Sequence, residues 1–298
     1  MKRKASQISE FNGIQLIQQA LEKVSDKGYS QKVTRFFKQK YIKPTSKFVG
    51  IRIPQVRAVI KECYPKTQLL DVSELLMDDR HEYRMTGLLL LVNAYFKDCH
   101  WELDQAKSKQ SQLSEFYLSH IQHVNNWDLV DASAHVLGDW LIFDPQSVRS
   151  SLEIYKQLDG VVEFDDVEIL KNMLSKLPDW YTEIANSNDL WKRRIAIVML
   201  LHLKKDHTEF VLALMHYHLW KMSLEDHVLT LYDSTFDDHD LIHKAIGWVI
   251  RECGKSKKQM MVDFIQRFCS NMHKTTARYA TEHLSSTLVK RYVSKAFK

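Results

Sequence analysis

The sequence predicts an all-α protein, and three observations carry that prediction. Glycine and proline are scarce, 8 and 5 in 298 residues, whereas a sheet-rich or doubly wound chain of this size spends more glycines on its turns. Apolar residues recur at helical spacing throughout. Segments of like pattern also return at an offset of 51 residues. That period fits helical pairs stacked side by side. The expected architecture is therefore a HEAT-like helical-repeat solenoid, an α-α superhelix whose successive helices line one concave face.

Taken in order, Ile14, Leu16, Ile17, Ala20, Leu21 and Val24 mark an amphipathic opening helix within residues 1–30, and Gly28 is the expected C-cap. Gln31 to Tyr41 is basic and aromatic. Pro44-Thr45-Ser46-Lys47 breaks the pattern, and Phe48 to Pro54 reads as a connector with Pro54 in the first turn of the next helix. Tyr83–Tyr95, Leu113–Val124, Leu129–Ile142, Leu190–Leu203 and Leu241–Arg251 follow as helices. The repeat is carried by Asp189-Leu190-x-x-Arg193-Arg194-Ile195-Ala196-Ile197-Val198 and Asp240-Leu241-x-x-Lys244-Ala245-Ile246-Gly247-Trp248-Val249. Arg84-x-x-Gly87 and Val130-Asp131 fit the frame more loosely. Small residues near the middle of each unit allow a neighbouring helix to approach closely. The step from Val130 to Arg193 is longer, at 63 residues. The excess falls at about 149–178, including the acidic Glu163-Phe164-Asp165-Asp166, and reads as an insertion with its own helix and surface loop inside a single 1–298 domain.

Composition narrows the function classes. Hydrophobic content of 45% and charged content of 27% describe a globular chain with a sizeable core. No apolar run approaches the roughly 20 residues of a membrane span, and Met1-Lys2-Arg3-Lys4 lacks the apolar stretch of a secretory signal. Cys63, Cys99, Cys253 and Cys269 form no CxxC and no zinc-finger pattern, so they read as reduced, partly buried thiols. The 14 histidines include no HExxH. No metal and no cofactor are expected.

Charge is uneven. Residues 1–66 hold 15 Lys/Arg against 4 Asp/Glu, and residues 251–298 hold 11 against 3. These ends carry +11 and +8, so the middle carries −14 within a net of +5. Basic ends around an acidic middle suggest a polyanion held by separate parts of the chain; solvated basic faces are the plainer account.

The most pointed segment is Asn125-Asn126-Trp127-Asp128-Leu129-Val130-Asp131. Trp127 and Asp131 are four apart and share a helix face. An indole with a carboxylate suits a cation. In the repeat frame Asp131 takes the position that Arg194 holds later. The concave face would then carry Trp127, Trp191 and Trp248, the cations Arg194, Lys244 and Arg251, and one carboxylate, Asp131. Cations and rings together suit nucleic acid. Each residue also has an ordinary reading: the tryptophans in the core, Asp131 as a cap or ion-pair partner, Lys192-Arg193-Arg194 as a solvated face. The residues by themselves lead to a helical-repeat protein binding a polyanion.

Several segments, in order from about Gln31 to Leu284, resemble the AlkD-like DNA alkylation repair proteins, which are HEAT-like-repeat DNA glycosylases. Phe48-Val49-Gly50-Ile51-Arg52-Ile53-Pro54-Gln55-Val56-Arg57 is similar to the family's N-terminal segment. Val124 to Asp131 is similar to its Asn-x-Trp-Asp-x-Val-Asp motif. Asn188 to Ile197 matches its Leu-Trp-x-x-Arg-x-Ala-Ile motif, and Ile242 to Glu252 its Lys-Ala-Ile-Gly-Trp-x-Leu-Arg-Glu motif. Thr276 to Glu282 is like the closing segment of longer members.

The resemblance implies hydrolysis of the N-glycosidic bond of cationic N3- or N7-alkylpurines in duplex DNA, without base flipping. It implies that Asp131 is the catalytic carboxylate and that Trp127 and Trp248 contact the deoxyribose. Arg194 would hold a backbone phosphate near the lesion, and Arg251 a further DNA contact. Lys244, Trp191, Arg52 and Phe36 complete the expected DNA-binding set, Phe36 or Phe37 standing where some members have tyrosine. No strong general acid is needed for a leaving group that is already cationic, consistent with the lack of an obvious His or Glu partner in these motifs. The expected partner is double-stranded DNA containing alkylated purines, bound by an intracellular monomer with no membrane association, in the nucleoid of a bacterium or the nucleus of a eukaryote. The chain departs from the pattern in the 149–178 insertion and in the basic Tyr41 to Lys47 loop. Some relatives lack base-excision activity, so the alternative is a non-catalytic HEAT-like-repeat protein that binds damaged or branched DNA. A protein scaffold is a third reading, and it predicts no salt-dependent DNA affinity.

Overall fold

The computed structural model describes residues 12–35, 37, 46–158, 167–231 and 239–297. They form 17 α-helices joined by short loops and 3-10 turns, with no strand among the described residues. The fold class is the expected one. The chain divides into two compact units, one up to Ser133 and one from Ala134 onward.

The first unit holds α1 (Gly13–Val24), α2 (Lys27–Thr34), α3 (Ile53–Cys63), α4 (Leu69–Met77), α5 (His81–Phe96), α6 (Lys109–Ser119) and α7 (Trp127–Ser133). Asn12 opens α1 with a capping box through Gln15. Gly28 does not end this helix. The chain leaves α1 at Ser25, and Asp26 accepts from the Tyr29 amide as N-cap of α2, so Gly28 lies inside the second helix. A good cap two residues ahead outweighed the glycine. Pro54 sits in the first turn of α3, as expected, where its missing N–H leaves no bond unmade.

The central helix is α5, packed against α3, α4, α6 and α7. Leu88, Leu90, Leu91 and Ala94 are sealed from solvent, which a helix surrounded by others requires. It begins two residues before the periodic run suggested, and that start is fixed by the preceding loop. Lys47 N–H donates to the Asp79 carbonyl at 2.9 Å, and His81 N–H donates to the Lys47 carbonyl at 2.8 Å. The expected Leu129–Ile142 helix is broken at Ala134 into α7 and α8 (His135–Leu141). Just before the break, the Ser133 hydroxyl donates to the Leu129 carbonyl at 2.7 Å, a side-chain bond that competes with the backbone ladder.

The second unit continues with α9 (Pro145–Tyr155), α10 (Val167–Leu174), α11 (Asp179–Asn186), α12 (Leu190–Val198), α13 (Thr208–Leu231), α14 (His239–Cys253), α15 (Lys258–Phe268), α16 (Lys274–Thr281) and α17 (Ser286–Lys295). Helices α9 and α10 pack on each other, α9 beginning before the 149–178 stretch and α10 lying within it. Its acidic Glu163 to Asp166 lies outside the described residues. Helix α14 is central here, against α12, α13, α15 and α16. Gly247 permits this: a Cβ there would stand 2.5 Å from the Thr276 carbonyl oxygen on α16. The four cysteines are free thiols, Cys63, Cys253 and Cys269 buried and Cys99 half-buried.

Candidate active site

Helix α7 presents the indole and carboxylate singled out by the sequence. It is only seven residues long, too short to hold itself in water, so its neighbours fix it. Leu129 and Val130 are fully buried on its inner side; each such side chain contributes about 1.5–3 kcal/mol. Ser133 adds a polar tie, since the Tyr117 hydroxyl lies 3.0 Å from its Oγ. On the other side, Trp127, Asp128, Asp131 and Ala132 line a cavity of about 470 Å³ within the first unit.

The remaining walls come from α2 (Tyr29, Val33), Phe37, the Ile51–Arg52 loop, α3 (Ile53, Arg57) and α5 (His81, Glu82, Met85, Leu89). Most of this lining is apolar or aromatic, which strengthens the field of the few charges it holds. Phe37 stacks on Trp127 with centroids 5.5 Å apart and a 26° interplanar angle. Trp127 nevertheless remains 36% exposed. Phe37 also stacks on Phe48 at 4.8 Å. Phe36 lies outside the described residues, and the aromatic wall observed here is Phe37.

The loop that delivers Arg52 is held by a buried carboxylate. Glu82 accepts from the backbone N–H groups of Val49 (3.0 Å), Gly50 (2.8 Å) and Ile51 (3.3 Å). Gly50 adopts φ 82°, and a Cβ would fall 2.0 Å from the Asp26 carbonyl oxygen. Both facts explain why a glycine stands in the Phe48–Pro54 segment. Arg52 then lays its guanidinium over the Tyr29 ring, 4.0 Å from the centroid.

A histidine and a glutamate from outside the sequence motifs border the cavity. Both are committed elsewhere: Glu82 to the loop amides, and His81 Nε2 to Asp128 Oδ2 at 2.7 Å. Arg84, on the same helix, donates to the Asp78 carbonyl at 2.7 Å and the Ser46 hydroxyl at 3.1 Å. Burial pulls its guanidinium below the ordinary arginine pKa, against the carboxylates of Asp78, Asp79, Asp128 and Glu82.

The other expected site residues belong to the second unit. Asp189 caps α12 by accepting from the Trp191 and Lys192 amides at 2.8 and 2.9 Å. Trp191 and Trp248 are half-buried. Arg194 is only 5% exposed, and its guanidinium donates to the Leu241 carbonyl at 2.7 Å, tying α12 to α14. Lys244 pairs with Asp240 at 2.7 Å. Arg251 is ion-paired to Glu282 and, at 3.4 Å, to Glu252. The expected row of outward cations is therefore a set of residues already engaged within their own unit.

No helix among the described residues is long and apolar enough to cross a membrane. No curated protein matches the chain. The family model of the DNA alkylation repair enzyme matches residues 17–157 and 165–284, leaving 158–164 between the two stretches. That match runs through the α7 segment, the Phe48–Pro54 loop and the α12 and α14 motifs alike, in a family known for HEAT-like helical repeats, and the chain belongs to the DNA alkylation repair enzyme family.

Proposed function

We propose that the protein is a DNA glycosylase that hydrolyses the N-glycosidic bond of cationic N3- or N7-alkylpurines in duplex DNA. The observation that carries this reading is the pairing of Trp127 and Asp131 on one short helix, lining one largely apolar cavity. Alkylation at N3 or N7 makes the purine a cationic leaving group. As the bond breaks, positive charge develops on the sugar. A carboxylate held in a site of low polarity stabilises that charge, and the indole face adds to it. Asp131 also serves to orient the attacking water on the sugar. No proton need be given to the purine, which fits a cavity whose histidine and glutamate are both engaged in other bonds.

Arg52, beside the cavity, is assigned a DNA contact. Trp248, Arg194, Arg251, Lys244 and Trp191 carry the roles their motifs imply, Trp248 at the deoxyribose and the others along the DNA. An arginine has five N–H donors, so a guanidinium bonded within its own unit can also meet a phosphate. The protein acts as a monomer, wherever the cell keeps its DNA.

Purified protein is expected to release 7-methylguanine or 3-methyladenine from methylated duplex DNA. Asp131→Asn should lower release at least about 100-fold, the scale of a lost charge-stabilising group, with DNA binding equal or tighter. Release by Asp131→Asn at the wild-type rate would overturn the mechanism. A wild-type protein that shifts DNA in a gel yet frees no base would make it a binder of damaged DNA instead.

A further inference from the structure

His81 is buried, 3% exposed, in the first turn of α5. Burying an imidazole costs free energy unless its nitrogens are satisfied. Its Nε2 lies 2.7 Å from Asp128 Oδ2; a carboxylate only accepts, so Nε2 carries the proton. Among the described residues Nδ1 has no hydrogen-bond partner. Among the described residues the hydrogen bonding of this buried ring is thus spent on Asp128 alone. The carboxylate it meets belongs to the residue after Trp127 and lies three positions before Asp131. The second oxygen of Asp128 accepts from the Leu129 amide at 2.9 Å, so Asp128 is held from both sides and fastens the first turn of α7 to α5.

A second route connects the same two points. Trp127 stacks on Phe37 (5.5 Å between centroids), Phe37 on Phe48 (4.8 Å), and Phe48 lies against His81 (4.7 Å). The position of α7 and the attitude of the Trp127 ring are therefore both referred to one imidazole. A seven-residue helix has little rigidity of its own to resist rolling.

We propose that His81 is a positioning residue for the reaction: its hydrogen bond to Asp128 fixes the roll of α7 and so sets where Trp127 and Asp131 meet the sugar. This rests on the glycosylase reading above. His81 touches no reacting atom. Misplacing a reacting group by about 1 Å costs on the order of 100-fold in rate, and removing the hydrogen-bond partner that orients a metal-ligating side chain costs about 10–100-fold, the scale taken here for His81.

The test separates the hydrogen bond from the volume. His81→Phe keeps the ring stack and removes the donor. His81→Gln keeps an N–H at similar reach and removes the ring. Base release is measured in single turnover with the full chain saturating methylated duplex DNA. His81→Phe should slow release about 10–100-fold with DNA affinity within about 3-fold of wild type, and His81→Gln should recover most of the rate. A wild-type rate in His81→Phe, an equal loss in both variants, or a loss of affinity in place of rate would overturn the proposal.

Asp131→Asn run alongside keeps the two ideas apart. If Asp131→Asn releases base as fast as wild type, Asp131 is not the catalytic carboxylate; if the wild type itself releases no base, the glycosylase reading has failed. The positioning role is then read from the Trp127 indole N–H resonance, assigned by its loss in Trp127→Phe. That resonance should move in His81→Phe and stay in His81→Gln. If it stays in both, the proposal falls. Should His81→Phe not fold, Asp128→Ala replaces it with the same two readouts.

Discussion

Gly50 carries more of the site than its size suggests. Its left-handed backbone and the Asp26 carbonyl oxygen, which a Cβ would meet at 2.0 Å, leave no room for a side chain. Left-handed geometry costs an alanine about 1–2 kcal/mol, and the contact with backbone adds to it. Gly50→Ala should therefore lose at least about 2 kcal/mol in urea unfolding at pH 7; an unchanged midpoint and slope would show that the loop simply shifts. The presence of this glycine was legible in the sequence, but its reason was not, because Asp26 and Glu82 reach it from distant parts of the chain. His81 was missed for a related cause. The periodic apolar run starts at Tyr83, so His81 and Glu82 fall outside it, and nothing in their spacing signals that both are buried. Trp127 and Asp131 were legible because a four-residue spacing needs only a helix to bring them to one face.

At the level of elements, α7 is held by polar ties at either end, His81 with Asp128 and Tyr117 with Ser133. Because the Ser133 proton goes to the Leu129 carbonyl, the Tyr117 hydroxyl donates to Ser133. Tyr117→Phe removes one buried hydrogen bond and little volume, so it should cost about 1 kcal/mol. Thermal unfolding checks this, and no change in midpoint would mean that the tie contributes nothing net. Helices such as α1, α5, α12 and α14 were readable from apolar spacing, and so was the placement of Pro54. The helix limits at Ser25 and Ala134 were not, because they turn on which side-chain oxygen captures which backbone group. Arg194 shows the same limit. Its place in the repeat frame was visible, while its engagement with the Leu241 carbonyl depends on how α12 and α14 pack.

Across the whole molecule, the acidic balance falls on residues 67–250 and the basic balance on the two ends, so DNA affinity should depend steeply on salt. Acid should act on the fold through the second unit. Burial pushes His216 and His218 down to about 3 and His135 down to about 4. Each is neutral when folded and takes a proton near the ordinary histidine value of about 6.5 when unfolded. Their contribution is fully present above that value and is lost as pH falls from it toward the folded values, at about 1.4 kcal/mol per pH unit for each histidine. Urea unfolding at pH 5 should therefore show a clearly lower stability than at pH 7, and equal stability would mean that the native state takes up these protons as readily as the unfolded chain.

The cysteines acquire a meaning from the company this family keeps. Agents that alkylate DNA are electrophiles, and a thiolate is the side chain they attack most readily. Burial pushes the Cys253 thiol up to about 12 and raises Cys63 as well. Cys269 is also shut away from solvent, leaving Cys99 as the more open of the four. With three of its four thiols buried, and those of Cys63 and Cys253 held protonated by that burial, the protein offers such electrophiles few thiolates to attack.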